Sequence, residues 1–219
     1  MGRETARRLI ELGHTVYLGA RDPDRGRTAG EELGARFVPV DVTDEASVTR
    51  AADVLREQEG ALDVLVNNAG VLGGFTPPGE TCAGNLREVY ETNVFGVVTV
   101  MTAFLPLLRL SAAPVVVNVS SGMGSLAVTT NPARFESTLT GLAYPSSKSA
   151  LNMLTSQYAK AFPDMRINAV DPGYTATDFN RHTGTKTVEQ GAEIIVRMAL
   201  TPRDRPTGAF VDQEGTVPW

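Results

Sequence analysis

Tyr144 and Lys148 stand four residues apart in the run Tyr-Pro-Ser-Ser-Lys, a spacing that puts a phenol and an ammonium on one face of a helix. Pro145 suits this reading, because the first turn of a helix has no use for the N–H that proline lacks. A phenol titrates near about 10 in water, too high for efficient proton transfer at neutral pH, and a fixed cation beside it lowers that value. The pair alone recurs by chance on solvated helices, so its neighbours decide. Residues 115–121 read as a buried strand ending in Asn-Val-Ser-Ser, which brings hydroxyls to the carboxyl edge of a sheet. Asn67-Asn68-Ala69-Gly70 and Asp171-Pro172-Gly173 end two more strands at that edge, which is where open α/β sheets bind ligands. Asn93 lies inside a helical stretch, Glu-Thr-Asn-Val-Phe-Gly, where a short amide is a poor helix former and needs a reason.

The elements that must position these groups alternate along the chain. Short β-branched runs predict strands at 15–20, 36–40, 64–66, 115–119, 167–170 and, more weakly, 209–211. Helical patterns fall at 3–12, 44–59, 85–110, 144–162 and 188–200, the first followed by a glycine, Gly13, suited to a helix end. Val48, Ala51, Ala52 and Leu55 share one face of the second helix, and Leu151, Leu154, Tyr158 and Phe162 form a stripe on the fourth. This order means parallel βαβ units in an α/β doubly wound sheet, a single domain over 1–219. The first element is a helix, whereas the first strand of such a sheet is central and the turn after it carries the glycines that cradle a pyrophosphate. An empty central position strands backbone groups at about 1–3 kcal/mol each if buried. The sequence therefore reads as a truncated form of a longer chain, with an apolar strand and a glycine-rich turn expected ahead of Met1.

Composition narrows the class. The 219 residues are 42% hydrophobic and carry a net charge of -5, which argues against a general electrostatic grip on nucleic acid or on anionic membrane. No apolar run approaches the roughly 18 residues of a membrane span, and no apolar core follows the basic N-terminal residues as in a signal peptide. The lone Cys82 excludes an internal disulfide, and His14 and His182 are too isolated for a zinc site. A cytoplasmic, metal-independent protein is expected.

At the residues named above the chain resembles the short-chain dehydrogenase/reductase family, over nearly its whole length and with the motifs in the family's order. The resemblance implies a Rossmann-type fold and hydride transfer between a nicotinamide dinucleotide and a carbonyl or alcohol. It implies that Tyr144 is the general acid, that Lys148 lowers the Tyr144 pKa and holds the nicotinamide ribose, and that Ser121 hydrogen-bonds the substrate oxygen. Asn93 would hold a water linking Lys148 to solvent. On the cofactor side it implies Asp41 and Val42 at the adenine, Asn68, Ala69 and Gly70 along the adenosine, and Pro172, Gly173 and Thr175 at the carboxamide. Thr177 would bind the pyrophosphate, and Gly2 matches the last glycine of the phosphate turn, whose earlier glycines have no counterpart in these 219 residues.

Cofactor choice turns on Leu18-Gly19-Ala20-Arg21. An NAD site wants a carboxylate at this strand end. Here Ala20 stands there, followed by Arg21, whose guanidinium suits a 2′-phosphate, with Arg25 as a second cation. NADP is the expected cofactor, unless Asp22 simply pairs with Arg21. An insertion at about 123–142 resembles the carbonyl-reductase-like branch, where such a segment borders the active site, and 174–187 reads as a lid over substrate. Trp219 is expected to pack on the body. A small carbonyl or alcohol substrate and a homo-oligomer are expected. The alternatives are a non-catalytic dinucleotide-binding regulatory module, a class that usually loses the Tyr or the Lys, and an inactive truncated fragment.

Overall fold

Residues 1–74 and 76–219 are described by a computed structural model of the chain. Its strands are short, parallel and flanked by helices. Strand β1 (Tyr17–Ala20) pairs with β2 (Arg36–Pro39). Strands β3 (Val64–Asn67), β4 (Val115–Val119), β5 (Arg166–Val170) and β6 (Phe210–Val211) form a second sheet in that order. All six match expected strands; β1 begins two residues later than 15 and β6 keeps only two residues.

Helices cover both faces, as the doubly wound reading requires. Helix α1 (Gly2–Glu11) packs on α8 (Val188–Ala199), and α8 packs on β3, β4 and β5. On the opposite face α3 (Glu45–Gln58) packs on α5 (Gly96–Leu108), α5 on β3, and α7 (Ala143–Ala161) on β5. The pleat sorts β4 between the two layers. Val115, Val117 and Val119 join the core with Leu9, Ile194 and Ile195, while Val116 joins Val97, Met101, Leu151 and Ile167 on the other side.

Three readings need correction. Helix α2 (Pro23–Leu33) was not expected at all. Its buried face is Gly26 and Gly30, which lets it lie on Phe37 without any apolar stripe, since a Cβ at Gly26 would come within 2.2 Å of the Phe37 ring. Its ends carry clear signals all the same: Asp22 caps it, Pro23 opens it, and Gly34 closes it at φ 70°. The expected helix 85–110 is three pieces in one run: α4 (Ala83–Tyr90), a π-helical turn (Glu91–Phe95) and α5. That run, Ala83–Leu108, is long and apolar enough to cross a membrane, contrary to the reading that no such stretch exists. Half of its most apolar stretch is buried in the core here, which is what a central helix of a doubly wound sheet requires.

Strands β1 and β3 are not paired with each other. Between them lies a cavity of about 600 Å³, walled by residues such as Leu9, Val16, Gly19, Val38, Val64 and Val66. It stands where the sequence reading placed the central strand of the sheet.

Candidate active site

Helix α7 starts at the carboxyl edge of the sheet and places Tyr144 in its first turn, with Lys148 one turn on. Lys148 is 5% exposed. Its Nζ donates to the Val119 carbonyl at 2.8 Å and stands 5.6 Å from the centre of the Tyr144 ring. The last carbonyl of β4 thus fixes the ammonium under the phenol. Burial pushes Lys148 down to about 8, partly opposed by the charge of Asp171. Burial also pushes the Tyr144 phenol above its ordinary value, against a hydrogen bond with Ser121 and with the Asp171 charge adding to the rise. Sequence reasoning expected Lys148 to draw this pKa down. In the protein alone, loss of water around the phenol outweighs every opposing influence.

Ser121 follows β4 and caps the short turn Gly122–Gly124, accepting from the Met123 N–H at 3.2 Å. Asn93 sits in the π-helical turn, where the widened backbone turns its side chain inward, and it is 1% exposed. Its Oδ1 accepts from the Val71 N–H at 2.8 Å, and its Nδ2 donates to the Val71 carbonyl at 2.9 Å and to Ser147 Oγ at 3.0 Å. Asn93 therefore ties α7 to the loop after β3. A Cβ at Gly70 would lie 3.4 Å from Asn93 Oδ1 and 3.7 Å from Lys148 Nζ, so this one position touches both groups.

The expected cofactor residues fall into two groups along the same rim. Asn68 and Ala69 are exposed beyond β3, and a Cβ at Gly2 would come within 2.8 Å of Asn68 Nδ2, so α1 begins against them. Asp41 accepts from Thr43 N at 3.0 Å, and those hydrogen bonds hold its carboxyl below its ordinary value, with the Arg21 charge as a smaller contribution. Val42 packs on Gly96, where a Cβ would lie 2.8 Å away. Asp22 is occupied with capping α2, accepting from Asp24 and Arg25 N–H groups at 3.0 Å. Among the described residues Arg21 has no ion pair, so the Arg21–Asp22 bridge does not form. At the end expected to face the nicotinamide, Pro172 is buried and Gly173 takes φ 73°, donating its N–H to Asp171 Oδ1 at 2.9 Å. Thr175 is 4% exposed with its hydroxyl turned to the Gly173 carbonyl at 3.2 Å. Thr177 opens a short turn, Asp178–Asn180.

The segment 174–187 folds back on itself through paired backbone at Thr175 and Lys186, and its Phe179 meets the Tyr144 ring edge-on at 5.6 Å. From the insertion, Phe135 approaches Tyr174 at 6.4 Å. Phe135 of the segment 123–142 thus lies against the segment 174–187. Trp219 stacks on Phe210 at 5.5 Å and so packs on the body.

The polar connections behind the site escaped sequence reasoning. Asn67 donates to Asn118 Oδ1 at 2.8 Å, and Asn118 donates to Thr155 Oγ1 at 2.8 Å, a polar chain that crosses from β3 through β4 to α7. Ser120 Oγ donates to Asn152 Oδ1 at 2.6 Å. The available signal was an asparagine inside each of two apolar strands, at positions that prove to be register partners. Asp171, 7% exposed, was seen only as a strand end. Burial raises its pKa, and the charges of Glu136 and Asp212 add to the rise.

A parallel sheet flanked by helices, with a phenol and an ammonium at its carboxyl edge, sets these groups where open α/β sheets bind ligands. A family model described as short chain dehydrogenase matches residues 1–188. The chain is 34% identical to a (+)-neomenthol dehydrogenase of Arabidopsis thaliana, over 98% of this chain and 93% of that protein. It resembles the structure of salutaridine reductase from Papaver somniferum with a TM-score of 0.83 and 31% identity, over 94% of each chain. It also resembles an NADPH-bound carbonyl reductase from chicken fatty liver, with a TM-score of 0.86 and 26% identity over 99% of this chain and 93% of that one. The chain belongs to the short-chain dehydrogenase family and is an oxidoreductase.

Proposed function

We propose that the protein is an NADP(H)-dependent carbonyl reductase acting on apolar cyclic ketones, with Tyr144 as its proton donor. The observation that carries this reading is the meeting of Tyr144, Lys148 and Ser121 under Phe179. The residues present suit the cofactor: Arg21 is exposed and unpaired among the described residues at a strand end that bears no carboxylate. Gly70 and Gly173 keep side-chain bulk off the rim, and Asn68 and Ala69 line it. Arg21, with Arg25 nearby, would hold the 2′-phosphate, Asp41 and Val42 the adenine, and Pro172, Gly173, Thr175 and Thr177 the nicotinamide and phosphate end. NADPH, when bound, supplies a hydride to the carbonyl carbon.

The chain's own groups handle the oxygen. Ser121 donates a hydrogen bond to it, and Tyr144 gives it a proton as negative charge develops. A phenol held above its ordinary pKa keeps that proton at neutral pH, which favours the direction of reduction. Lys148, charged below about 8, stabilises the tyrosinate left behind. Asn93 holds the loop after β3 and positions a water for returning the proton from solvent. Exposed Phe135, Leu142, Tyr174 and Phe179 give the mouth an apolar lining. That lining, with relatives named for neomenthol and salutaridine, supports the choice of ketone.

The test is steady-state oxidation of NADPH and NADH with a panel of cyclic monoterpene ketones. The expected result is turnover with NADPH at least about tenfold more efficient than with NADH. NADPH binding without turnover of any carbonyl, or a preference for NADH, would overturn this reading.

A further inference from the structure

Asp171 is a buried carboxylate that the proton transfer leaves without a task. It follows β5, is 7% exposed and forms no ion pair among the described residues. A carboxylate taken out of water needs donors facing it. Here the donors are backbone groups. Oδ1 accepts from the Gly173 N–H at 2.9 Å, and Oδ2 lies so close to Gly122 that a Cβ there would come within 2.9 Å of it. The backbone N–H groups of Gly173 and Gly122 both favour the charged form. One side chain thus reaches the residue after Ser121 and the Pro172-Gly173 turn together.

The turn that carries Ser121 is held from two sides. On the α7 side Asn152 accepts from Ser120 Oγ at 2.6 Å and donates to the Gly124 carbonyl at 3.2 Å, so it spans the turn. On the β5 side the holding group is Asp171 at Gly122. Its charge also reaches α7, where it opposes the fall of Lys148 and adds to the rise of Tyr144. Among the described residues it is the one charged side chain outside α7 that acts on them. Glu136, itself bound to Arg134, and Asp212 face Asp171 and make its ionisation harder. Lys186 of the 174–187 segment lies against Gly173. The other charges on packed elements stand apart: Glu193 and Arg197 of α8, Arg87 and Glu88 of α4 and Glu91 of the π-helical turn are exposed, and Arg166 is at the opposite end of β5.

We propose that Asp171 is a positioning residue for the carbonyl reductase chemistry, a reading on which this inference rests: its carboxylate pins the Ser121 turn to the Pro172-Gly173 turn, and its negative charge keeps Lys148 and Tyr144 protonated. Reduction needs both protons, one on the phenol to be given to the oxygen and one on the ammonium to steady the tyrosinate left behind. A neutral residue of similar shape keeps part of the clamp and loses the charge.

The chain has three lysines, Lys148, Lys160 and Lys186, so NMR of protein labelled with carbon-13 at lysine Cε follows each through a pH titration. Titrations of the cofactor-free protein compare the unaltered chain with Asp171→Asn, Asp171→Ser and Glu136→Gln. Lys148 is expected to titrate near about 8 in the unaltered chain and about one pH unit lower in both Asp171 variants. Glu136→Gln should leave Lys148 in place, and Lys160 should not move in any variant. The unaltered chain should also show a second, smaller step in the Lys148 signal where Asp171 takes up its proton, above 3.8, a readout that needs no variant to fold. In turnover, the kcat deficit of Asp171→Asn should widen about fivefold between about pH 6 and about pH 8, whereas loss of a clamp alone gives a deficit that does not depend on pH. An unmoved Lys148 in a folded Asp171 variant, an equal movement in Glu136→Gln, absence of the second step, or a deficit constant with pH would overturn the proposal. The titrations use neither ketone nor cofactor, so a shifted Lys148 in a chain that reduces no carbonyl would overturn the reductase reading and leave the coupling of Asp171 to Lys148 standing.

Discussion

Strands β4 and β1 are both short, apolar and parallel to their partners, yet they are in different states. Every residue of β4 is buried, including Asn118, because the strand has a neighbour on each side and a helix layer on each face. Strand β1 has one neighbour, leaves Gly19 exposed and keeps its other three residues only half-buried. Burial in a parallel sheet is therefore a property of position and not of residue type alone. The groups proposed for catalysis hang from the closed half: Lys148 is fixed by a β4 carbonyl and Ser121 follows the same strand. The expected 2′-phosphate reader, Arg21, follows the open half. The proposed proton transfer thus sits beside a strand paired on both edges, and the proposed cofactor discrimination beside a strand paired on one.

The largest effect should come from the closed half. Lys148→Met is expected to lower kcat for ketone reduction by about 10²–10⁴-fold. In the unaltered protein the rate should fall as pH rises through about 8, where Lys148 loses its proton, and the variant should lack that limb. A pH–rate profile of both checks the assignment. On the open half, Arg21→Ala should weaken NADPH binding by about 10–100-fold and leave NADH binding unchanged, measured by calorimetry. An equal loss for both cofactors would remove Arg21 from phosphate recognition.

Packing sharpens the comparison further. Val117 is fully buried in β4, whereas Val66 faces the cavity side of β3 and is half-buried. Val117→Ala should cost about 2 kcal/mol in urea unfolding and Val66→Ala less than half of that. Similar costs would mean that the cavity side is as closed as the centre. The smallest effect concerns α1, the helix beside the cavity. Hydrogen bonds from Arg7, ahead of those from Arg8, hold the Glu4 carboxyl down to about 2 from 4.5. A depressed carboxylate contributes stability that is present above its unfolded value and fades as pH falls toward its folded one. Glu4→Gln should lower Tm by about 2 °C at pH 7, and the difference should close between pH 4.5 and about 2.

Much of this arrangement was legible in the sequence because the signals were local. Tyr144 and Lys148 share one helix turn, and the β-branched runs marked all six strands. Helix α2 escaped because its packing face is made of two glycines, which carry no hydrophobic period, although Asp22, Pro23 and Gly34 punctuate it. The Asn67–Asn118–Thr155 chain escaped because it exists only through the register of β3 on β4 and the packing of α7. The Tyr144 pKa went opposite to expectation for a similar reason: a nearby cation is visible in spacing, but loss of water is visible only in the fold.

The central claim is that Tyr144 supplies the proton to a ketone reduced by NADPH, and Tyr144→Phe tests it most directly. NADPH binding and single-turnover reduction of a cyclic ketone would be measured on the same samples of the variant and the unaltered protein. The account predicts NADPH affinity within about twofold and a reduction rate lower by about 10²–10⁴-fold. A Phe variant that binds NADPH and reduces the ketone at the unaltered rate would contradict it.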